Sequence, residues 1–278
     1  MPQSRRRLFI SIVLVLAVIG FVGFSMIPLI STPVNQQPST IATSSSQTPV
    51  AGQPPKLQEQ ARGYELVLQR EPENQTALRG LVEARIQLRD LKGAIAPLEK
   101  LAALNPNQPQ YTTLLAQAKQ QLGDSEGAAQ AYRSILQTKP GDLSALQGLS
   151  GLLLQQNRSQ EAISLLQDTL RTAAQKNPTQ PGDVEVNSVR LLLGQVYAAQ
   201  KRDDEAIAIY DDLIKADKQD FRPPLAKAAI LRKQGKTEQA NSLFKQAAAL
   251  APAQYKAEID KLAAPPPPAA SPAPTVPK

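Results

Sequence analysis

Three prolines, Pro72, Pro106 and Pro140, stand 34 residues apart. Small residues keep the same step: Ala94, Ala128 and Ala162 form one series, and Ala206 and Ala240 are again 34 apart. The interval from Ala162 to Ala206 is 44, one period with ten residues inserted. Such a period marks an array in which each short unit buries its apolar side only against its neighbours. Five alanines in register exclude an unrelated helical bundle and predict an all-α solenoid.

Each period reads as two helices, a first (A) and a second (B). In the unit beginning at Gln110, Leu114, Leu115, Ala118 and Leu122 lie on one stripe at helical spacing, which predicts helix A over 110–122. Gly123-Asp124 ends it, as glycine just past a helix end does. Ser125 to Thr138 is predicted as helix B, with Ala128, Ala129, Tyr132, Ile135 and Leu136 facing inward. Lys139-Pro140 then stops it, because proline biases the residue before it away from helix. Pro97 is read as lying early in its helix B, where a missing donor costs least.

These marks resemble the tetratricopeptide repeat (TPR) family. Its pattern places a Leu-small pair and a Tyr in helix A, an Ala and an aromatic in helix B, and a closing Pro. Leu81, Leu115, Leu149 and Leu193 fill the Leu position, with Gly194 and Tyr197 completing one unit. Tyr64, Tyr132, Tyr210 and Phe244 take the aromatic position, and Leu98 and Leu166 replace it in two units. The early Trp position departs from the pattern, holding Leu78, Thr112, Leu146, Arg190 and Pro224. The resemblance implies a right-handed superhelix over 56–264. It comprises a half repeat (56–74), five repeats (75–108, 109–142, 143–186 with the insertion, 187–220 and 221–254) and a capping helix (253–264).

Both ends differ from this middle. Leu8 to Ile30 is 23 residues without a charge, and as a helix it would span roughly 35 Å, enough for a hydrocarbon core of about 30 Å. Arg5, Arg6 and Arg7 precede it, and the next charge is Lys56. We therefore expect residues 1–30 to be one transmembrane anchor with a cytoplasmic N-terminus and the repeats on the far side, in a periplasm or a thylakoid lumen. The alternative, a cleaved signal peptide, lacks an A-x-A site and would have an unusually long apolar region. Residues 31–55 read as a Ser/Thr/Pro-rich linker and 265–278 as a Pro/Ala-rich tail.

The chain has 31 Lys+Arg against 24 Asp+Glu, a balance that raises nucleic acid or an anionic membrane as a partner. Its distribution answers otherwise. The first 55 residues hold three arginines and no acid; residues 56–217 hold 18 basic and 20 acidic; residues 218–261 hold nine and four. The excess is a topology signal plus one basic terminal repeat, so no nucleic-acid partner is expected. The chain also has no Cys and no His, which removes the ordinary zinc site, the thiolate nucleophile and the imidazole acid/base. No enzyme activity, no cofactor, no metal and no small-molecule substrate is expected. Asp203, Asp204 and Glu205 read as a helix start, where carboxylates meet the positive end of the dipole.

In the family's register the concave face is lined by helix A. The resemblance implies a partner face of Arg79, Glu83, Thr113, Gln117, Gln147, Gly151, Leu191, Gln195, Arg222 and Leu225, flanked by Thr76, Gln110, Ser144, Ser188 and Ala229. It is neutral and Gln-rich, without the Lys/Arg clamp of chaperone-binding relatives, and fits a short amphipathic helix or an extended peptide. Asp220-Phe221-Arg222-Pro223 and the later ANSLFKQAAALAP also resemble the last repeat of plastid TPR proteins of the Slow Green type. That implies a photosynthetic membrane and a role in assembling or maintaining its complexes. The expected function is thus a membrane-anchored scaffold for protein–protein interaction. The alternatives are a helical-repeat nucleic-acid binder and a cell-envelope or secretion accessory protein.

Overall fold

The computed structural model describes residues 54–176 and 184–264. The anchor Leu8–Ile30 with Arg5, Arg6 and Arg7, the linker up to residue 53, most of the insertion loop and the tail 265–278 lie outside the described residues. Among the described residues no helix is long and apolar enough to cross a membrane.

Those residues form twelve α-helices and no strand. They are α1 (Pro54–Arg70), α2 (Gln75–Gln87), α3 (Leu91–Leu104), α4 (Pro109–Gln121), α5 (Ser125–Thr138), α6 (Leu143–Gln155) and α7 (Ser159–Lys176). Then come α8 (Val186–Ala199), α9 (Asp203–Ala216), α10 (Arg222–Lys233), α11 (Thr237–Leu250) and α12 (Ala253–Ala263). The described chain is all-α and falls into two compact units of stacked helix pairs, one ending at Val189 and one beginning at Arg190. In the first, each helix from α1 to α7 packs on the next, and α4 also touches α6. In the second, α9 to α12 pack in sequence, and Gly194 on α8 lies against the Tyr210 ring on α9.

The alanine series explains the close pairing. Ala94, Ala128, Ala162, Ala206 and Ala240 are all fully buried, so each helix B approaches its helix A with only a methyl between them. Large residues fill what remains. In the first unit Leu98 and Leu101 join Leu78, Val82, Leu115 and Ala118 in one core. In the second, Phe244 and Ile259 join Leu225, Leu231 and Ala247. Each fully buried side chain of this size contributes about 1.5–3 kcal/mol.

The aromatic position of helix B is matched by size to the helix A that follows. A Cβ added at Gly80 or at Gly148 would run into the ring of Tyr64 or Tyr132 respectively. Where helix B carries Leu98 instead, the next helix A carries Leu114, packed against the same core. Burial raises the Tyr132 hydroxyl above its ordinary pKa, and that of Tyr210 further still.

All five A-to-B turns share one geometry. Arg89, Gly123, Asn157, Lys201 and Gly235 have φ between 58° and 84°. The amide after each returns to a carbonyl five residues back, as from Asp90 to Arg85 at 2.8 Å and from Arg202 to Tyr197 at 2.9 Å. These are left-handed helix caps of the Schellman kind. Glycine is unstrained there and arginine is not. Arg89→Gly should therefore raise stability by about 0.5–1 kcal/mol, measured by urea unfolding; an unchanged midpoint would show that the left-handed turn is not strained.

Some helix readings need correcting. Leu122 is 47% exposed, because it is the cap residue just past the end of α4 and lies beyond the buried stripe. Pro97 stands at the seventh of fourteen positions of α3 and is buried, so it replaces an interior donor that would have met the Gly93 carbonyl. α1 starts at Pro54, two residues before the first charge, because proline is tolerated where amides have no intrahelical partner. The insertion, by contrast, lengthens one helix as its position in the chain suggests: α7 runs for 18 residues where the B helices α3, α5, α9 and α11 have 14.

Candidate binding face

In the first unit the A helices are α2, α4 and α6. Thr76, Arg79, Glu83, Gln110 and Ser144 are exposed on them, and Thr113, Gln117, Gln147 and Gly151 are half-buried. Few of these groups are committed to each other. Glu83 accepts from Gln87 at 3.2 Å, and Gln110 donates to Gln108 at 2.8 Å. Gln120 on α4 donates to Gln155 on α6 at 3.3 Å. A Cβ at Gly151 would meet nothing within 4 Å, so bare backbone is presented there. The face carries one cation, Arg79, and one anion, Glu83, among amides and hydroxyls. It can hydrogen-bond a peptide and offers little net field.

The second unit departs from the expected face. Leu191 and Leu225 are only 4% and 5% exposed, and Gln195 is buried as well, as is Ser188 at the end of the first unit. Leu225 belongs to the core with Ala228, Leu231 and Phe244, and Phe221 and Ile207 pack against that cluster. The physical reason is visible in the residue type: at the position where three earlier repeats carry Arg79, Thr113 and Gln147, these two carry leucine. Arg222 does not project freely either. Its guanidinium is held by Asp220 at 2.8 Å, and the same carboxylate accepts the Arg222 amide at 2.9 Å, just before α10 begins. Ala229 is half-buried.

A hollow among the described residues lies away from this face. A groove of about 590 Å³ is lined by Arg133, Leu136 and Gln137 of α5, Leu149 and Leu153 of α6, and Gln160, Glu161, Ser164 and Leu165 of α7. It runs between two B helices with an A helix as its floor. Leu136, expected to face inward, lines this groove and is half-buried. Its rim is polar. Arg158 grips Glu161 through Nε and Nη2, both at 2.7 Å, and this hydrogen bonding holds the Glu161 carboxyl below its ordinary pKa.

Ion pairs elsewhere tie helix to helix. Arg85 on α2 bonds Glu65 on α1 and also Asp90, whose side chain accepts the Gly93 amide at 2.8 Å and so caps α3. That backbone donor, together with Arg85, depresses the Asp90 pKa. Lys227 on α10 pairs with Asp211 on α9. The acidic triplet begins α9: Glu205 is taken by Arg202 at 2.7 Å, and Asp203 accepts from Gln234 at 3.3 Å.

Comparison with known proteins fits this geometry. A tetratricopeptide repeat family model matches residues 68–252. "Cellulose synthase operon protein C" of Pseudomonas fluorescens is 31% identical over 159 residues, covering 57% of this chain and 12% of that protein. The protein SLOW GREEN 1, chloroplastic, of Arabidopsis thaliana is 27% identical over 187 residues, covering 67% of this chain and 58% of that protein. The chain thus spans less than two thirds of either. Yeast Tom70 has a similar fold, with a TM-score of 0.53 at 14% identity over 73% of this chain and 42% of that one.

Proposed function

Because the chain belongs to the tetratricopeptide repeat family, we propose that it is a non-catalytic scaffold that holds partner proteins through the A-helix face of α2, α4 and α6. The observation that carries this reading is that face itself: open, near neutral and bearing amides whose hydrogen-bonding capacity is only partly used within the chain. An extended segment or a short helix rich in polar and small apolar groups is the ligand such a surface suits. A chaperone-type carboxylate tail is not, since Arg79 is the face's one cation among the described residues.

We further propose that residues 1–30 anchor the chain in a membrane, with the repeats on the far side from a cytoplasmic N-terminus. Support comes from the 23 uncharged residues after Arg7 and the transfer energetics of such a stretch. The similarity to a chloroplast protein supports a place on a photosynthetic membrane and a part in assembling its complexes. The repeats are proposed to wind right-handed, as stacked helix pairs of this family do.

The full chain should stay in the membrane pellet after alkaline washing. Cross-linked there, it should capture a small, reproducible set of proteins. Thr113→Glu with Gln147→Glu, which adds two carboxylates to the face, should reduce capture by at least tenfold, since covering carboxylates that gain no partner costs several kcal/mol. Ser164→Arg, which fills the groove between α5 and α7, should leave capture intact. The opposite pattern would move the site to that groove, and a chain that captures nothing would end the scaffold reading.

A further inference from the structure

Helix α1 carries an apolar patch that the repeat pattern does not explain. Leu66 is 62% exposed and Val67 is 40% exposed. In the five repeats that follow, the positions equivalent to Leu66 are Lys100, Ser134, Asp168, Asp212 and Gln246, every one polar. Those equivalent to Val67 are Leu101, Ile135, Thr169, Leu213 and Ala247, and all are buried. α1 is a helix B, and among the described residues no helix A precedes it to cover Val67. Leucine at an otherwise polar position occurs twice more in this chain, at Leu191 and Leu225, and both of those are buried. Leu66 has the composition of a covered position and nothing in the described chain over it.

The surroundings of Leu66 indicate what would cover it. Glu59, Gly63, Leu66 and Arg70 are spaced four, three and four apart, which places them on one stripe of the helix, and all four are exposed. A Cβ at Gly63 would meet nothing within 4 Å, so the stripe has a notch next to its knob. Neither Glu59 nor Arg70 makes an ion pair among the described residues. The stripe is complementary to itself when a second copy runs antiparallel and crosses between residues 64 and 65. Glu59 then faces Arg70 of the other copy at both ends, and each Leu66 faces a Gly63 notch. A two-fold contact needs this property, because one surface must serve as both halves.

We propose that two copies of this chain associate through α1, antiparallel, with Leu66 and Val67 at the centre and Glu59–Arg70 pairs on either side. This lies beyond the scaffold function and does not depend on it, since α1 is outside the A-helix face. One helix face is much smaller than the roughly 800 Å² per partner of a stable interface. The association is therefore weak and concentration-dependent, and it is favoured when copies share a surface.

The chain has no cysteine, so Arg62→Cys, beside the stripe and near the two-fold, introduces a single thiol into the full chain, purified in mild detergent, and leaves Leu66 in place. A short bis-maleimide should join two such chains. Gln130→Cys, the equivalent position on α5 and likewise exposed, should not be joined. Placed on the Arg62→Cys chain, Glu59→Arg or Arg70→Glu alone sets like charges against each other twice, and should weaken dimerisation about 10- to 30-fold. Both together restore opposite charges and should return it to within about threefold. Glu59 and Arg70 are exposed, so circular dichroism should show all these variants folded. An introduced thiol that reacts with a simple maleimide yet gives no dimer would overturn the proposal. So would a monomer whose introduced thiol is shielded, which would assign the face to the chain's own N-terminal segment. A dimer indifferent to both single reversals would place the contact elsewhere.

Discussion

Gly148→Leu should lower the stability of the first unit by about 3 kcal/mol, and Tyr132→Leu in the same chain should recover most of it. The Tyr132 ring of α5 lies where any side chain at position 148 of α6 would begin. Tyr132 is almost fully buried, so it cannot swing into solvent, and the helices must separate instead. Tyr132→Leu alone leaves a void over the glycine and should cost about 2 kcal/mol. With leucine on both sides, the interface reproduces the Leu98–Leu114 pairing that the chain already uses between α3 and α4. The double variant should then fall within about 1 kcal/mol of the parent, a coupling far above the roughly 0.5 kcal/mol expected of independent sites. Thermal melts followed by circular dichroism would show a loss of roughly 6–12 °C for Gly148→Leu and its near-recovery. A double variant less stable than Gly148→Leu would mean that the two residues do not share an interface.

Ile259→Asp should release the last helix without unfolding the first unit. Ile259 is the fully buried residue of α12 and packs in the core with Phe244, Ala247 and Ala251. Arg232 also lies over the Phe244 ring at 4.8 Å and donates to the Ala264 carbonyl at 3.3 Å, holding the end of α12. An ionised carboxylate placed in that core without a partner costs several kcal/mol, more than these exposed contacts can offset. Once α12 leaves, Phe244 and Leu231 meet water and the second unit becomes prone to aggregation. In a solenoid each helix depends on its neighbours, so α2 to α6 should be unaffected. Hydrogen exchange would show protection falling by at least 100-fold in α11 and α12 and unchanged in α2 to α6. Ile259→Val should cost only about 1 kcal/mol. Loss of protection throughout the chain would mean that it folds as one cooperative body.

Much of the fold could be read before any coordinates, because repetition turns a weak signal into a strong one. A single buried alanine says little, whereas five at the same register specify where helix B meets helix A. The bounds of α5, Ser125 to Thr138, follow from a cap aspartate and a closing proline. Less was legible where the relevant property belongs to space and not to residue type. Gly123 and Gly235 announce left-handed turns; Arg89 and Lys201 adopt the same turn with no chemical sign of it. The groove between α5 and α7 is lined in part by Leu136, whose apolar character alone suggests core. Leu191 and Leu225 differ for another reason: the family register places them on the partner face, whereas leucine at that position signals cover, and both are buried. The partner face of the first unit was readable as a surface, but which of its amides meet a ligand depends on the ligand's own pattern of donors and acceptors.

The size matching across successive helices has a consequence for how such a chain can grow. Along the B helices of the first unit the aromatic position alternates Tyr64, Leu98, Tyr132, and the facing position in the next helix A alternates Gly80, Leu114, Gly148. Adjacent joints are therefore of two kinds, and they do not interchange. Excising one period would set Tyr64 against Leu114, or Leu98 against Gly148, giving a collision or a gap. Excising two would set Tyr64 against Gly148, a fit already present in the chain. Within the first unit, then, the smallest segment that can be removed without breaking a joint is a pair of repeats.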